Sequence, residues 1–166
     1  MYDWANSAFA TTMMAAVLPI FYSEVAASTL ADARQATSYW GITQSIAMLL
    51  VAVLTPILGA VADYSGRKTT FLRLFAYIGV AASIGFVFVG NGDYVLASIL
   101  FIAGTIGYSG GNAFYDAMLN DVAPPGERDY VSSRGYAYGY IGGGLLLVVN
   151  LLMIQKPAWF GLPKGL

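Results

Sequence analysis

A short polar segment from Gly59 to Lys68 separates two long apolar runs, and it carries an acid and two bases. The Asp63 carboxylate can accept hydrogen bonds from the unpaired N–H groups at another helix's N-terminus, where the helix dipole favours negative charge. Arg67 offers a rigid fork of N–H donors to a carboxylate, whereas Lys68 and the nearby Arg73 are expected to face lipid headgroups. The pattern predicts ion pairing between helices. The plainer alternative is a turn held by positively charged anchors.

Two acids further along the chain are candidate partners for this arginine. Asp116 lies inside an apolar run, and Asp121 lies just beyond it. An ionisable side chain within a membrane segment is costly and usually functional, so we expect Asp116 or Asp121 to pair with Arg67. The alternative is that both acids lie in the wet interfacial region.

A polar stripe shares the run that contains Asp116. Tyr108, Asn112 and Tyr115 recur at helical spacing, which puts them on one face of a helix with that acid. In lipid, such a face must meet protein or a water-filled cavity. The stripe therefore predicts a surface that lines a water-filled cavity, or else a polar seam that stabilises the bundle.

The composition restricts the class of protein. Of the 166 residues, 58% are hydrophobic and 10% are charged, with a mean hydropathy of +0.65, whereas soluble domains carry roughly 25% charged residues. The net charge of −1 argues against a nucleic-acid partner. The sequence has no histidine and no cysteine, so it offers no catalytic constellation and no metal site, and we expect neither an enzyme nor a cofactor.

Five apolar stretches are long enough to cross a bilayer, since a spanning helix needs about 20 mostly apolar residues. Lipid cannot satisfy the open edge of a sheet, so these stretches must be helices. The sequence predicts an all-α membrane protein in which residues 1–166 form a single transmembrane bundle. The predicted spans are residues 5–25, 40–62, 70–89, 94–119 and 135–154.

The distribution of basic residues predicts the orientation, because cytoplasmic loops carry an excess of lysine and arginine. With the N-terminus in the cytoplasm, the bases divide unequally between the two sides. The inner side holds Arg67, Lys68, Arg73, Arg128 and Arg134, and the outer side holds Arg34, Lys156 and Lys164. Arg134 is expected to pair with Asp121 or Asp129, or to act as an anchor that reaches the interface.

Small residues recur along the fifth span. Gly135, Gly139 and Gly143 are spaced by four, which makes a flat groove for the backbone of another helix. The groove could serve sliding of helices past one another or static packing. It also supports an alternative function, a membrane scaffold or interaction module that transports nothing.

The polar segment resembles the signature loop of the major facilitator superfamily of secondary transporters. Gly59, Asp63, Gly66, Arg67 and Lys68 all stand in register with that loop. Gly66 permits the positive φ of the chain reversal, and Gly59 permits close approach of a helix. In that superfamily the loop acid caps a helix of the other half, and the arginine pairs with an acid at the inner end of span four.

Three further strings narrow the resemblance to the UMF-type branch, bacterial relatives of the fungal autophagy-linked vacuolar amino-acid effluxer. They are Tyr-Asp-Trp-Ala-Asn-Ser-Ala-Phe at residues 2–9, Phe-Tyr-Asp-Ala-Met-Leu at 114–119 and Gly-Tyr-Ile-Gly-Gly at 139–143. Spans one and four line the pathway in the superfamily, so the resemblance makes Asp3 and Asn6 pathway candidates beside the stripe of span four.

The resemblance implies a secondary active transporter of small solutes that works by alternating access in a lipid bilayer, with proton coupling left open. It implies a bacterial plasma membrane and a cytoplasmic N-terminus. Twelve spans are expected and five are present, so the C-terminal half of the same protein is expected to be missing and to supply the helix that Asp63 caps.

Overall fold

The computed structural model describes residues 2–162, so Lys164, which was assigned to the outer side, lies outside the described residues. Most of the described chain is helical, and the described residues contain no strand. Five helices are long and apolar enough to cross a membrane, which confirms the predicted fold class. They are α1 (Tyr2–Ala26), α2 (Ala33–Ser65), α3 (Lys68–Phe88, whose last turn, Phe86–Phe88, is 3₁₀), α4 (Tyr94–Val122) and α5 (Arg128–Gln155).

All five helices extend beyond the predicted spans at one end or both. The largest extensions are those of α2, which begins at Ala33 instead of residue 40, and of α5, which begins at Arg128 instead of residue 135. A prediction from hydropathy stops where polar residues begin. The backbone continues its hydrogen bonds through these polar turns, because water and headgroups solvate their side chains.

Helix α1 changes its hydrogen-bond pattern around Pro19. Residues Phe9–Val17 and Tyr22–Ala26 are π-helical, and the Leu18 N–H donates to the Met13 carbonyl, five residues back. Proline has no N–H to donate and interrupts the regular ladder. The wider turns on either side accommodate that interruption, as π-bulges do in other helices.

The described residues pack as two compact units. One unit is Ile20–Arg128, and the other combines the residues up to Pro19 with those from Asp129 onward. The division falls inside α1, at the proline. Each unit has its own helix packing.

In the Ile20–Arg128 unit, α4 packs against both α2 and α3. The contact with α3 is made through backbone: a Cβ atom on Gly107 would lie 2.5 Å from the Gly79 nitrogen and 2.8 Å from the Phe75 carbonyl oxygen. Beside this contact, the Phe114 ring stacks on Phe71 with centroids 4.9 Å apart. Lipid supplies no hydrophobic drive for helix association, so close approach at small residues is what holds α3 and α4 together.

Near the N-terminal ends of α2 and α4 in the same unit, three hydroxyl groups form a hydrogen-bonded chain. The Ser98 hydroxyl on α4 lies 2.9 Å from the Tyr22 hydroxyl and 2.7 Å from that of Thr43 on α2. Trp40 packs between the rings of Tyr22 and Phe101. These three hydrogen-bonded hydroxyls connect the end of α1 to α2 and α4. They also satisfy one another's hydrogen-bonding groups in an apolar setting, where an unpaired polar group would be costly.

In the other unit, the glycine groove of α5 holds the start of α1. A Cβ atom on Gly139 would lie 2.7 Å from the Ser7 hydroxyl oxygen, and one on Gly143 would lie 3.1 Å from the Thr11 side chain. The Thr11 hydroxyl also lies 3.2 Å from the Gly143 carbonyl oxygen, to which it donates. The groove is therefore occupied by α1.

The α3–α4 contact requires a residue without a side chain at position 107, and this requirement can be tested. Gly107→Ala forces two backbones apart, and overpacking of this kind typically costs about 1–3 kcal/mol. We expect the thermal unfolding temperature of the detergent-purified protein to fall by several degrees. Gly41→Ala is the matched control, because open space surrounds the position where its Cβ would stand. An equal response of the two variants would contradict the packing argument.

Candidate functional site

The segment predicted to be a charged turn is a sharp one between α2 and α3. Helix α2 ends at Ser65, Gly66 adopts φ 62° and ψ 4°, and α3 begins at Lys68. This left-handed conformation is costly for residues other than glycine. Gly66 therefore reverses the chain within two residues, as expected from its position.

Lys68 contacts the C-terminal end of α4 through two hydrogen bonds. Its Nζ donates to the Asp121 carboxylate at 2.8 Å and to the Ala117 carbonyl oxygen at 3.0 Å. The lysine side chain is 15% exposed and the aspartate 56%. The last turns of a helix carry partial negative charge, which favours a cation at this position. The contact fastens the start of α3 to the end of α4.

This pairing differs from the expected one, in which Arg67 met the acid and Lys68 faced headgroups. Lys68 is the first residue of α3 and is half-buried beside α4, whereas Arg67 precedes the helix and is exposed. The start of α3 at Lys68 therefore places this residue, and not Arg67, within reach of Asp121. Asp116 is exposed on α4 and is not the acid that Lys68 meets.

Two charges of the turn remain exposed. Asp63 and Arg67 make no side-chain hydrogen bond or ion pair with another residue of the described chain. Asp63 belongs to the last turn of α2, and Arg67 stands just past the left-handed glycine. The same turn thus has one base engaged within the unit and an acid and a base that face outward.

The polar stripe of α4 lies on a different face from the glycine contact. Tyr108, Asn112 and Tyr115 are half-buried, and all three, like Asp116, interact with other residues. Helical spacing separates them from Gly107 and Phe114, which pack against α3. The stripe therefore lies beside the face of α4 that packs against α3.

The pathway candidates on α1 lie at or near the groove of α5. A Cβ on Gly139 would lie 3.1 Å from the Asp3 carboxylate, so Asp3 borders the packed face, and Asn6 is half-buried. Further along, the Asn150 amide donates to the Thr12 hydroxyl at 3.3 Å. Gly135, the third member of the predicted groove, is half-buried on α5.

Sequence reasoning missed the glycines of α4 and the hydroxyl chain of Ser98. A signal was present for the glycines, because Gly104, Gly107 and Gly111 recur at spacings of three and four, as small residues do at helix contacts in membranes. No local signal marks Ser98, because its partners lie on two other helices.

Five membrane-length helices joined by short connections define a multi-pass helical membrane protein. The chain belongs to the Atg22-like vacuole effluxer family, whose description reads "vacuole effluxer Atg22 like" and whose model matches residues 1–125. This confirms the resemblance drawn from the turn and from the string at residues 2–9.

Individual relatives agree with the family. The chain is 40% identical over 154 residues to the uncharacterized MFS-type transporter YxiO of Bacillus subtilis, covering 93% of this chain and 36% of the relative. It is 32% identical over 99 residues to autophagy-related protein 22-2 of Penicillium rubens, covering 60% of this chain and 15% of the relative. The chain thus spans about a third or less of the length of these relatives. No solved structure matches it with significance.

The pairing at the turn can be measured by a double-mutant cycle. Lys68→Met combined with Asp121→Asn should give a coupling of about 0.5–1.5 kcal/mol in the free energy of unfolding, because a partly buried charged hydrogen bond is lost. The measurement is unfolding in mixed micelles of increasing dodecyl sulfate content.

The cycle has a matched control in the neighbouring base. Arg67→Met combined with Asp121→Asn should show no coupling, since Arg67 is exposed and Asp121 is bonded to Lys68. A larger coupling for Arg67 than for Lys68 would contradict the arrangement described above.

Proposed function

We propose that this chain is part of a secondary transporter that moves small solutes across a membrane by alternating access. The observation that carries the proposal is the divided charge of the α2–α3 turn. Lys68 is bonded to α4, whereas Asp63 and Arg67 are exposed without partners in the described chain. Membership of a transporter family supports it.

The division suggests separate roles for the charges. The bond from Lys68 to Asp121 keeps α3 and α4 together as one body. Asp63 and Arg67 are then available to the part of the protein that lies beyond this chain, where the acid would cap a helix N-terminus. Moving a two-state equilibrium from 1:99 to 99:1 takes about 5.5 kcal/mol. A helix capped by Asp63 and an ion pair made by Arg67 would supply a substantial fraction of that free energy.

The polar stripe on α4 is the proposed solute-facing surface. Tyr108, Asn112 and Tyr115 are half-buried polar side chains in a membrane-length helix, a setting in which polar groups usually line a pathway. Asp3 and Asn6 are proposed to contribute from α1. Asp116 is the proposed site of any proton coupling, because it is the acid nearest the stripe.

The alternative of a scaffold relied on a free glycine groove in α5. That groove is occupied by α1, with Ser7 and Thr11 against Gly139 and Gly143. A scaffold would need another surface, so the transporter is the better supported function.

We further propose that the protein lies in a bacterial plasma membrane with its N-terminus in the cytoplasm. The turn at Lys68 and the start of α5 then share the inner side, together with Arg73, Arg128 and Arg134. The excess of bases there follows the rule for cytoplasmic loops.

The first test is transport by turn variants of the protein at its natural length. Asp63→Asn or Arg67→Ala should reduce flux of a panel of labelled small solutes, amino acids included, to background in reconstituted vesicles. Both side chains are exposed, so we expect normal expression and thermal stability. Flux at the unmodified rate in either variant would overturn the role of the turn.

A second test reads the conformational equilibrium directly. The 166 residues contain no cysteine, so a cysteine at Asn112 reports access when other cysteines of the protein are replaced. Alternating access predicts labelling by an impermeant thiol reagent from both sides, with the ratio changed at least severalfold by Asp63→Asn. Labelling from one side only, unchanged by the variant, would contradict the proposal. Tyr77→Cys, on the exposed surface of α3, serves as the control.

A further inference from the structure

The start of α5 carries an arginine that is held between two tyrosines. Arg134 donates from Nη1 to the Tyr130 hydroxyl at 3.3 Å and from Nη2 to the Tyr138 hydroxyl at 3.4 Å. Its guanidinium carbon lies 5.5 Å and 6.0 Å from the centroids of the two rings. We call these three residues the Tyr–Arg–Tyr stripe, and we propose that it binds the phosphate of an anionic lipid headgroup in the inner leaflet.

The stripe lies on one exposed face of the helix. Residues spaced by four share a face, and Tyr130 is 63% exposed and Tyr138 50% exposed. Arg134 itself is exposed. Asp129, the expected partner acid in the same unit, makes no ion pair with Arg134 among the described residues. The positive charge of Arg134 is therefore uncompensated within this part of the protein.

The depth of Arg134 matches the headgroup region. No charged residue stands between Arg134 and Lys156, and residues 135–154 as a helix span about 30 Å, the thickness of the hydrocarbon core. Arg134 is thus the first residue outside that core. Tyr138 begins one turn inside it, with its hydroxyl directed back to the arginine, as tyrosines at interfaces are.

The number of hydrogen-bond donors in the Tyr–Arg–Tyr stripe favours an anion with several oxygens. A guanidinium has five N–H groups, and two of its nitrogens already donate to the tyrosines. Each tyrosine hydroxyl accepts from Arg134 and still has its own hydrogen to donate. The exposed stripe therefore offers donors from three side chains and a positive charge, which suits a phosphate diester.

The tyrosines also distinguish this arrangement from an ordinary interfacial arginine. A long side chain that merely reaches the interface is free to take many rotamers and loses that freedom on binding. Here the two hydroxyls and the two rings hold the guanidinium before a lipid arrives. Asp129 is the nearest acid along α5, and helical spacing puts it on a different face from Arg134.

The test counts lipids bound to the natural-length protein in detergent by native mass spectrometry. Titration with phosphatidylglycerol should show a site that Arg134→Gln weakens about tenfold, which is about 1.4 kcal/mol. Tyr130→Phe with Tyr138→Phe keeps the rings and the charge, and it should weaken the site at least threefold. Arg73→Gln, which removes another exposed base from the inner side, is the control and should change the affinity less than twofold.

Three results would overturn the proposal. If Arg134→Lys and the double phenylalanine variant both bound phosphatidylglycerol with wild-type affinity, Arg134 would be an interfacial anchor that any cation can replace. Equal affinity for phosphatidylcholine would mean no preference for an anionic lipid, and displacement by inorganic phosphate at the same concentration would mean a soluble anion. The double variant keeps the test valid even if Arg134→Gln unfolds, because it removes only two hydroxyl groups.

Discussion

Close backbone contact between α3 and α4 is the constraint on which the described site depends. Hydrocarbon is as apolar as leucine, so burial gives these helices little reason to associate, and van der Waals contact at small residues has to supply it. Gly79 and Gly107 allow that contact. Because the two helices are held at this distance, Lys68 at the start of one reaches Asp121 at the end of the other. The ion pair between Lys68 and Asp121 thus depends on glycines elsewhere in these two helices.

Much of this arrangement could be predicted from the sequence, for identifiable reasons. Hydropathy over about 20 residues locates a span, because the bilayer has a fixed thickness, and all five spans were found. Gly66 was expected to turn the chain because few residues other than glycine tolerate positive φ, and it does so. These features depend on local properties of the chain, which a sequence records directly.

Which of the two neighbouring bases pairs with Asp121 could not be predicted from local properties of the sequence. Arg67 and Lys68 are adjacent, and which of them meets Asp121 depends on where α3 begins, within one residue. Helix boundaries are the least certain part of any reading from sequence. Similarly, the hydroxyl of Ser98 meets groups on two other helices, and no spacing along one helix reveals a contact of that kind.

The hydrogen bonding of α1 around Pro19 has a consequence for how that helix can change. A carbonyl that accepts from the fifth residue onward, as Met13 does from Leu18, is one residue out of step with a regular helix. Exchanging that partner for the fourth residue conserves the number of bonds while turning every later side chain about the axis by roughly a quarter of a revolution. Tyr22, which ends the hydroxyl chain, lies beyond this point. A shift of one residue in the hydrogen bonding of α1 would therefore rotate Tyr22 about the helix axis and change its contact with the Ser98 hydroxyl.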